Sequence, residues 1–254
     1  MEKKALLVVS FGTCAPEALE RDLVPVEEAV SAALPEYVPF RAFESGVIIQ
    51  KRKAGNRLAI SSVPEALTRL REQGFAEVLV QPAFLLHGRE HSRLLGELEG
   101  AKGWFSSLRV GEPLLSAPAD DLELAAGLAE SFPAEKGPVL LMGHGTGQDG
   151  NQGYSGLAAA LAPHMLLGVM EGSPGLDALI PQLRERGIGQ LTLVPLMLTA
   201  GSHAETDMAS NAPHSWKTRL AAAGIRADCV LRGLGSRSFV QKMFARHAVE
   251  AASK

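Results

Sequence analysis

Short apolar runs alternate along the chain with longer amphipathic stretches, the pattern of a parallel sheet covered by helices on both faces. Strands are predicted over 5–10, 38–43, 77–82 and 107–111, and again over 138–143, 166–170, 190–197 and 227–232. Helices are predicted over 16–33, 62–73, 88–100, 121–132, 153–162, 174–186, 203–221 and 236–251. Leu176, Leu179, Ile180 and Leu183 follow the i, i+3, i+4, i+7 spacing of a helix with one buried face, and Pro174 suits its first turn. The expected fold is α/β: two similar doubly wound halves, each a four-stranded parallel sheet flanked by helices, with right-handed crossovers. Ala134-Glu135-Lys136-Gly137-Pro138 has the polar, Gly/Pro-containing composition of a hinge, so the halves are expected to be 1–134 and 135–254.

The two halves also repeat in sequence. Leu70-Arg71-Glu72-Gln73-Gly74 leads through Val78-Leu79-Val80-Gln81-Pro82 to Gly88-Arg89-Glu90. At an offset of 113 residues, Leu183-Arg184-Glu185-Arg186-Gly187 leads through Leu191-Thr192-Leu193-Val194-Pro195 to Gly201-Ser202-His203. The starts echo as well, Leu7 to Thr13 against Leu140 to Thr146. At both loop positions the second half holds a histidine, His144 and His203, where the first holds Phe11 and Glu90. A duplicated scaffold has become asymmetric, and the asymmetry points to the second half as the seat of chemistry.

Composition narrows the class. The chain has 254 residues, 46% hydrophobic and 21% charged, with a net charge of −3. That balance provides no basic footprint for nucleic acid and no basic face for an anionic membrane. Cys14 and Cys229 make neither a metal-finger spacing nor a disulfide scaffold. No apolar run approaches the roughly 20 residues that span a bilayer. The apolar stretch at Ala5–Val9 is too short for a secretory h-region, so a cytoplasmic protein is expected. No heptad or large apolar face stands out, which leaves a homo-oligomer open.

In such sheets ligands bind beyond the carboxyl ends of the strands. In the second half that rule selects the loops at His144-Gly145-Thr146-Gly147, Glu171-Gly172-Ser173, Thr199–His203 and Gly233-Leu234-Gly235. His144 sits between glycines that let the backbone turn sharply. Gly143-His144-Gly145 imitates a dinucleotide fingerprint, but its third glycine would fall at Gln148 and is missing. Ser202-His203-Ala204-Glu205 reads as a capping box, which would put His203 in a first helical turn favouring neutral imidazole. Glu171, at a strand end, suits a third metal ligand or a general base, or equally a salt bridge or a helix N-cap. The first half carries Glu44-Ser45-Gly46 at what reads as the corresponding place, so that acidic position looks partly inherited. His87 and His91 fit either a binding wall or solvated surface; His164, His214 and His247 read as structural or solvated, and Cys14 lacks an evident paired base. Serine-hydrolase elbows, Walker loops and zinc-peptidase histidine motifs are absent.

Four segments together resemble the anaerobic sirohydrochlorin cobaltochelatases, class II chelatases grouped with the ferrochelatases. They are Val8-Val9-Ser10-Phe11-Gly12-Thr13, Met142-Gly143-His144-Gly145, Val169-Met170-Glu171-Gly172-Ser173-Pro174 and Pro195–Ala204. Asp207-Met208-Ala209-Ser210 and Ser215-Trp216-Lys217 strengthen the likeness, which extends over nearly the whole chain. The resemblance implies two α/β halves around a cleft and insertion of Co²⁺ into sirohydrochlorin for cobalamin biosynthesis, the metal being a substrate and not a resident cofactor. It implies that His144 and His203 bind the incoming ion, with Glu171 as third ligand or proton acceptor and His144 as an alternative proton relay. Where the family tends to carry a Ser-Leu-His type segment, this chain reads Pro82-Ala83-Phe84, so no role is transferred to Phe84.

Neutral imidazoles with one carboxylate suit Co²⁺, Ni²⁺, Fe²⁺ or Zn²⁺. Ser10, Phe11, Gly12, Thr13, Gly145 and Thr146 are expected to bind the ring, Phe11 through an apolar face and the loop amides through peripheral carboxylates. The rival readings are a nickel, iron or precorrin-2 chelatase on the same fold, a metal- or tetrapyrrole-binding carrier without turnover, and a generic nucleotide-binding domain.

Overall fold

The computed structural model describes residues 2–54, 60–145 and 152–254. Its strands are β1 (Lys4–Ser10), β2 (Val38–Phe43), β3 (Ser61–Ser62), β4 (Glu77–Pro82), β5 (Ser107–Val110), β6 (Val139–Gly145), β7 (Met165–Glu171), β8 (Gln190–Leu196) and β9 (Arg226–Cys229). Its α-helices are α1 (Pro16–Ala18), α2 (Val24–Ala33), α3 (Gly46–Ala54), α4 (Val63–Glu72), α5 (Arg89–Glu99), α6 (Pro118–Ser131), α7 (Gln152–Ala160), α8 (Leu176–Glu185), α9 (Trp216–Ala222) and α10 (Ser238–Ala252). All strand pairings are parallel, in two sheets ordered β3-β2-β1-β4-β5 and β7-β6-β8-β9.

The repeat read from the sequence is a repeat of topology. Strands β2-β1-β4-β5 of the first sheet stand in the order of β7-β6-β8-β9 in the second. The first sheet carries one strand more than expected, the two-residue edge strand β3, too short to leave an alternation signal. Helices α4 and α8 close on the same hydrogen bond: Phe75 N–H donates to Leu70 O at 3.1 Å, and Ile188 N–H to Leu183 O at 2.9 Å. Leu70 and Leu183 are fully buried, each inside the core of its own unit. Burying one such side chain contributes about 2 kcal/mol.

The chain packs as two compact units, Met1–Ser116 with Gly235–Lys254, and Ala117–Leu234. The sequence division at 134/135 rested on a local Gly/Pro signal. Packing groups the chain differently, because α6 lies against α7, and α10 lies against α2 and buries Val240, Met243, Phe244 and Ala248 there. Arg109 ties that last helix down further, donating from Nη1 to Ala252 O at 2.6 Å.

Two more elements depart from the pattern. Helix α3 has only Ile49 and Arg52 buried, so it lacks the apolar stripe that marks a helix in sequence. The long helix expected over 203–221 is instead a wide π-type turn at Ala204–Met208, an irregular segment, and α9. Thr206 Oγ1 donates to Ser202 O at 2.8 Å and Ser210 Oγ to Thr206 O at 2.6 Å, back-bonds that compete with regular helix; Pro213 has no N–H to continue one. Ser215 then caps α9, accepting from Thr218 N–H. Pro174 precedes α8 instead of lying in its first turn, and its carbonyl accepts from Val169 N–H.

Candidate metal centre

Strand β6 runs straight into His144, and Gly145 makes that possible. Gly145 has φ +85°, and a Cβ there would meet the Glu171 carbonyl oxygen at 1.9 Å. Only glycine both adopts that backbone and lets β6 pair with β7 as far as Glu171. The first unit repeats the turn: Gly12 has φ +92°, and its missing Cβ leaves room for the Phe43 ring. One backbone device thus positions Phe11 in one unit and His144 in the other.

His203 arrives from the loop after β8. The expected Ser202–Glu205 capping box is replaced by a continuing turn, in which His203 is itself helical (φ −62°, ψ −39°) and Glu205 N–H donates to Gly201 O at 3.1 Å. His203 stays in the first turn, as the spacing implied.

The two imidazoles meet edge to face, with ring centroids 4.9 Å apart and planes at 80°. His144 Nδ1–H donates to Gly145 O at 3.0 Å. His203 Nδ1–H donates to Asp207 Oδ2 at 2.7 Å. A carbonyl or carboxylate oxygen only accepts, so both Nδ1 atoms carry a proton, and in the neutral rings Nε2 is the nitrogen with the lone pair. Carboxylate or carbonyl behind imidazole is the arrangement that orients a metal-binding histidine and raises its basicity. The other Asp207 oxygen lies 3.6 Å from Nε2 of the exposed His214.

Glu171 lies on the same strand ends, its backbone opposite Gly145, with an exposed side chain. Among the described residues no three His, Cys, Asp or Glu side chains converge to hold a metal, so the structure joins the two histidines without Glu171 as a third. The acidic position is not inherited from the first half. Ser10 pairs with Phe43 and the equivalent Gly143 with Val169, so Glu44 occupies the place of Met170, one residue out of step with Glu171. Glu44 is buried and ion-paired with Arg93 at 2.9 Å, while Glu171 is exposed. Burial, then the neighbouring Glu97 carboxylate, pushes the Glu44 carboxyl up to about 7 against the pull of Arg93.

Of the residues expected to contact a ring, Phe11 is 49% exposed, whereas Ser10 and Thr13 are buried. Thr13 Oγ1 accepts from Ala15 N–H at 3.1 Å, and Thr13 O accepts from Arg52 Nη1 at 3.1 Å. Thr146 lies outside the described residues. Sequence reasoning missed two supporting residues. Arg52, a buried cation bracing the Phe11–Thr13 loop, sits on the unforeseen helix α3. Asp207, noted only for its resemblance, carried a usable signal in its four-residue spacing from His203.

A duplicated parallel α/β scaffold that offers imidazole lone pairs at its strand ends is the architecture of a chelatase. Comparison with known proteins narrows that class. The model of the cobalt chelatase (CbiK) family matches residues 4–253, and the chain belongs to that family. Sirohydrochlorin cobaltochelatase of Salmonella typhimurium is 37% identical over 254 residues, covering 98% of this chain and 96% of that one. Sirohydrochlorin cobaltochelatase CbiKC of Nitratidesulfovibrio vulgaris is 34% identical over 261 residues, covering 100% and 92%. The fold is shared with SirB from Bacillus subtilis with Fe³⁺, at TM-score 0.66 and 17% identity over 99% of this chain and 96% of that one. It is shared too with the sirohydrochlorin chelatase SirB from Bacillus subtilis subspecies spizizenii in complex with cobalt, at TM-score 0.62, 17% identity and the same coverage. No helix among the described residues is long and apolar enough to cross a membrane.

Proposed function

We propose that the chain inserts Co²⁺ into sirohydrochlorin on the anaerobic route to cobalamin. The observation that carries the reading is the pairing of His144 and His203 at a centroid distance of 4.9 Å, each with Nδ1 engaged by an oxygen acceptor so that Nε2 is the nitrogen left to take a metal. The two relatives named sirohydrochlorin cobaltochelatase support the choice of ring and metal. His144 and His203 hold the incoming ion through Nε2, leaving other coordination positions open to the ring nitrogens. Two pyrrole N–H bonds break as nitrogen–metal bonds form, and the two protons released balance the charge of the ion. Glu171, exposed beside the His144 turn, serves as third ligand or accepts those protons, directly or by way of His144. Ring contacts are assigned to Ser10, Phe11, Gly12, Thr13, Gly145 and Thr146, Phe11 presenting the exposed apolar face. Cys14 and Cys229 are thiols, in keeping with a reducing cytoplasm.

The test follows sirohydrochlorin absorbance during incubation with Co²⁺, Ni²⁺ or Fe²⁺, with protoporphyrin as a competing ring. Multiple turnovers with sirohydrochlorin, lost by at least about 100-fold in His144→Ala and His203→Ala, are expected. A single stoichiometric uptake would identify a carrier. Near-normal insertion by both variants would exclude the assigned metal ligands. Because nitrogen ligands bind divalent ions in the Irving–Williams order, in vitro metal preference is compared with the metal recovered from cells.

A further inference from the structure

The first unit holds another imidazole pair. His87, in the loop before α5, and His91, in its first turn, lie edge to face with centroids 4.7 Å apart and planes at 84°. Their Nδ1 atoms are 3.3 Å apart. Glu112, just beyond β5, places Oε2 3.4 Å from His87 Nε2. We propose that His87 and His91 form a second divalent-cation site, taking one ion of the Co²⁺, Ni²⁺ or Zn²⁺ class between their Nδ1 atoms, with Glu112 as the carboxylate behind His87.

The separation of the two nitrogens suits one shared ion. Two nitrogens each bound at about 2.05 Å to one tetrahedral ion stand roughly 3.3–3.4 Å apart, which is the Nδ1 separation present. The Glu112 carboxylate 3.4 Å from His87 Nε2 favours a proton at that nitrogen, which leaves Nδ1 as the free donor atom facing His91. His91 is 6% exposed and its ring is held beside His87 by the first turn of α5. Without an ion, His91 Nδ1–H donates to the His87 Nδ1 lone pair. When the ion enters, that proton passes by way of water to His91 Nε2, with no net release. Water or a carboxylate-bearing molecule fills the remaining coordination positions. The pair differs from His144 and His203 in ring nitrogen, Nδ1 in place of Nε2, and in the unit that carries it.

The experiment uses the full chain carrying His144→Ala and His203→Ala, titrated with Co²⁺ and followed by visible d–d absorption and equilibrium dialysis. One Co²⁺ per chain with tetrahedral-type absorption is expected. His87 is 46% exposed, so adding His87→Ala empties no core, and that change should abolish the remaining ion. Glu112→Gln should weaken its binding by about 10- to 100-fold. The proposal is overturned if the doubly substituted chain binds no Co²⁺, or if its residual binding is unchanged by His87→Ala. Neither result touches the preceding assignment, which is decided by insertion activity.

Discussion

His203 and Asp207 stand one helical turn apart, and the Nδ1–H of the histidine donates to the carboxylate at 2.7 Å. That bond selects the tautomer in which His203 presents Nε2. Asp207→Asn keeps the size of the side chain but replaces a charged acceptor with a neutral one. Co²⁺ affinity should fall by about 10- to 100-fold while the fold is retained. Competition against a colorimetric chelator measures it; unchanged affinity would remove Asp207 from the site.

Glu171 is exposed and, among the described residues, outside any three-ligand set, so its contribution is expected during turnover more than in resting metal binding. Glu171→Gln should lower the insertion rate by about 100-fold, the scale of a lost general base. Co²⁺ affinity measured without the ring should change far less. A parallel loss of both would make Glu171 a ligand in the ring-free protein.

Gly145→Ala forces a Cβ into the Glu171 carbonyl at a positive φ. Backbone strain and displacement of β7 together should cost at least about 2 kcal/mol. Urea unfolding at one pH reads that loss, and insertion activity should fall with it as His144 shifts. Wild-type stability in this variant would contradict the close approach.

The Glu44 carboxyl is buried and pushed up to about 7 from its ordinary 4.5, mainly by burial and then by Glu97. The folded chain therefore keeps a proton that the unfolded chain releases. The stabilising contribution is complete below about 4.5 and is lost as pH rises through about 7. Between pH 5 and 8, roughly, the unfolding free energy should drop by about 2–3 kcal/mol from this group, and Glu44→Gln should flatten that slope. An equal slope in the variant would assign the pH dependence elsewhere.

Leu70 and Leu183 occupy equivalent buried positions in two cores. Leu70→Ala and Leu183→Ala should each remove about 2–5 kcal/mol of stability. Calorimetry of the two variants should show loss from the unit that carries the change.

Much of the fold was legible in sequence because its signals are local and doubled. Short, largely apolar runs marked eight of the strands, and the 113-residue offset between Leu70 and Leu183 announced a topology that the sheets repeat. What escaped had weak or misleading local signals. Helix α3 buries only two residues, β3 has two residues in all, and the 203–221 stretch reads as helix until hydroxyl back-bonds and Pro213 interrupt it. The hinge-like composition at Ala134–Pro138 was genuine, but α10 returns to α2, a contact between residues far apart in the chain.

The sequence alone determined which residues could do the chemistry: a repeat broken by two histidines singles out His144 and His203, and glycine at 12 and 145 permits the same turn twice. Tertiary structure decided how those residues are used. His144 and His203 leave different strand ends, and only folding brings their rings to a centroid separation of 4.9 Å; folding also buries Glu44 beside Arg93 while leaving Glu171 exposed. Pattern specifies faces and elements, because those follow from the periodicity of a single strand or helix. Which strand ends meet, and which charges are buried, follow from distances between segments, which no local periodicity encodes.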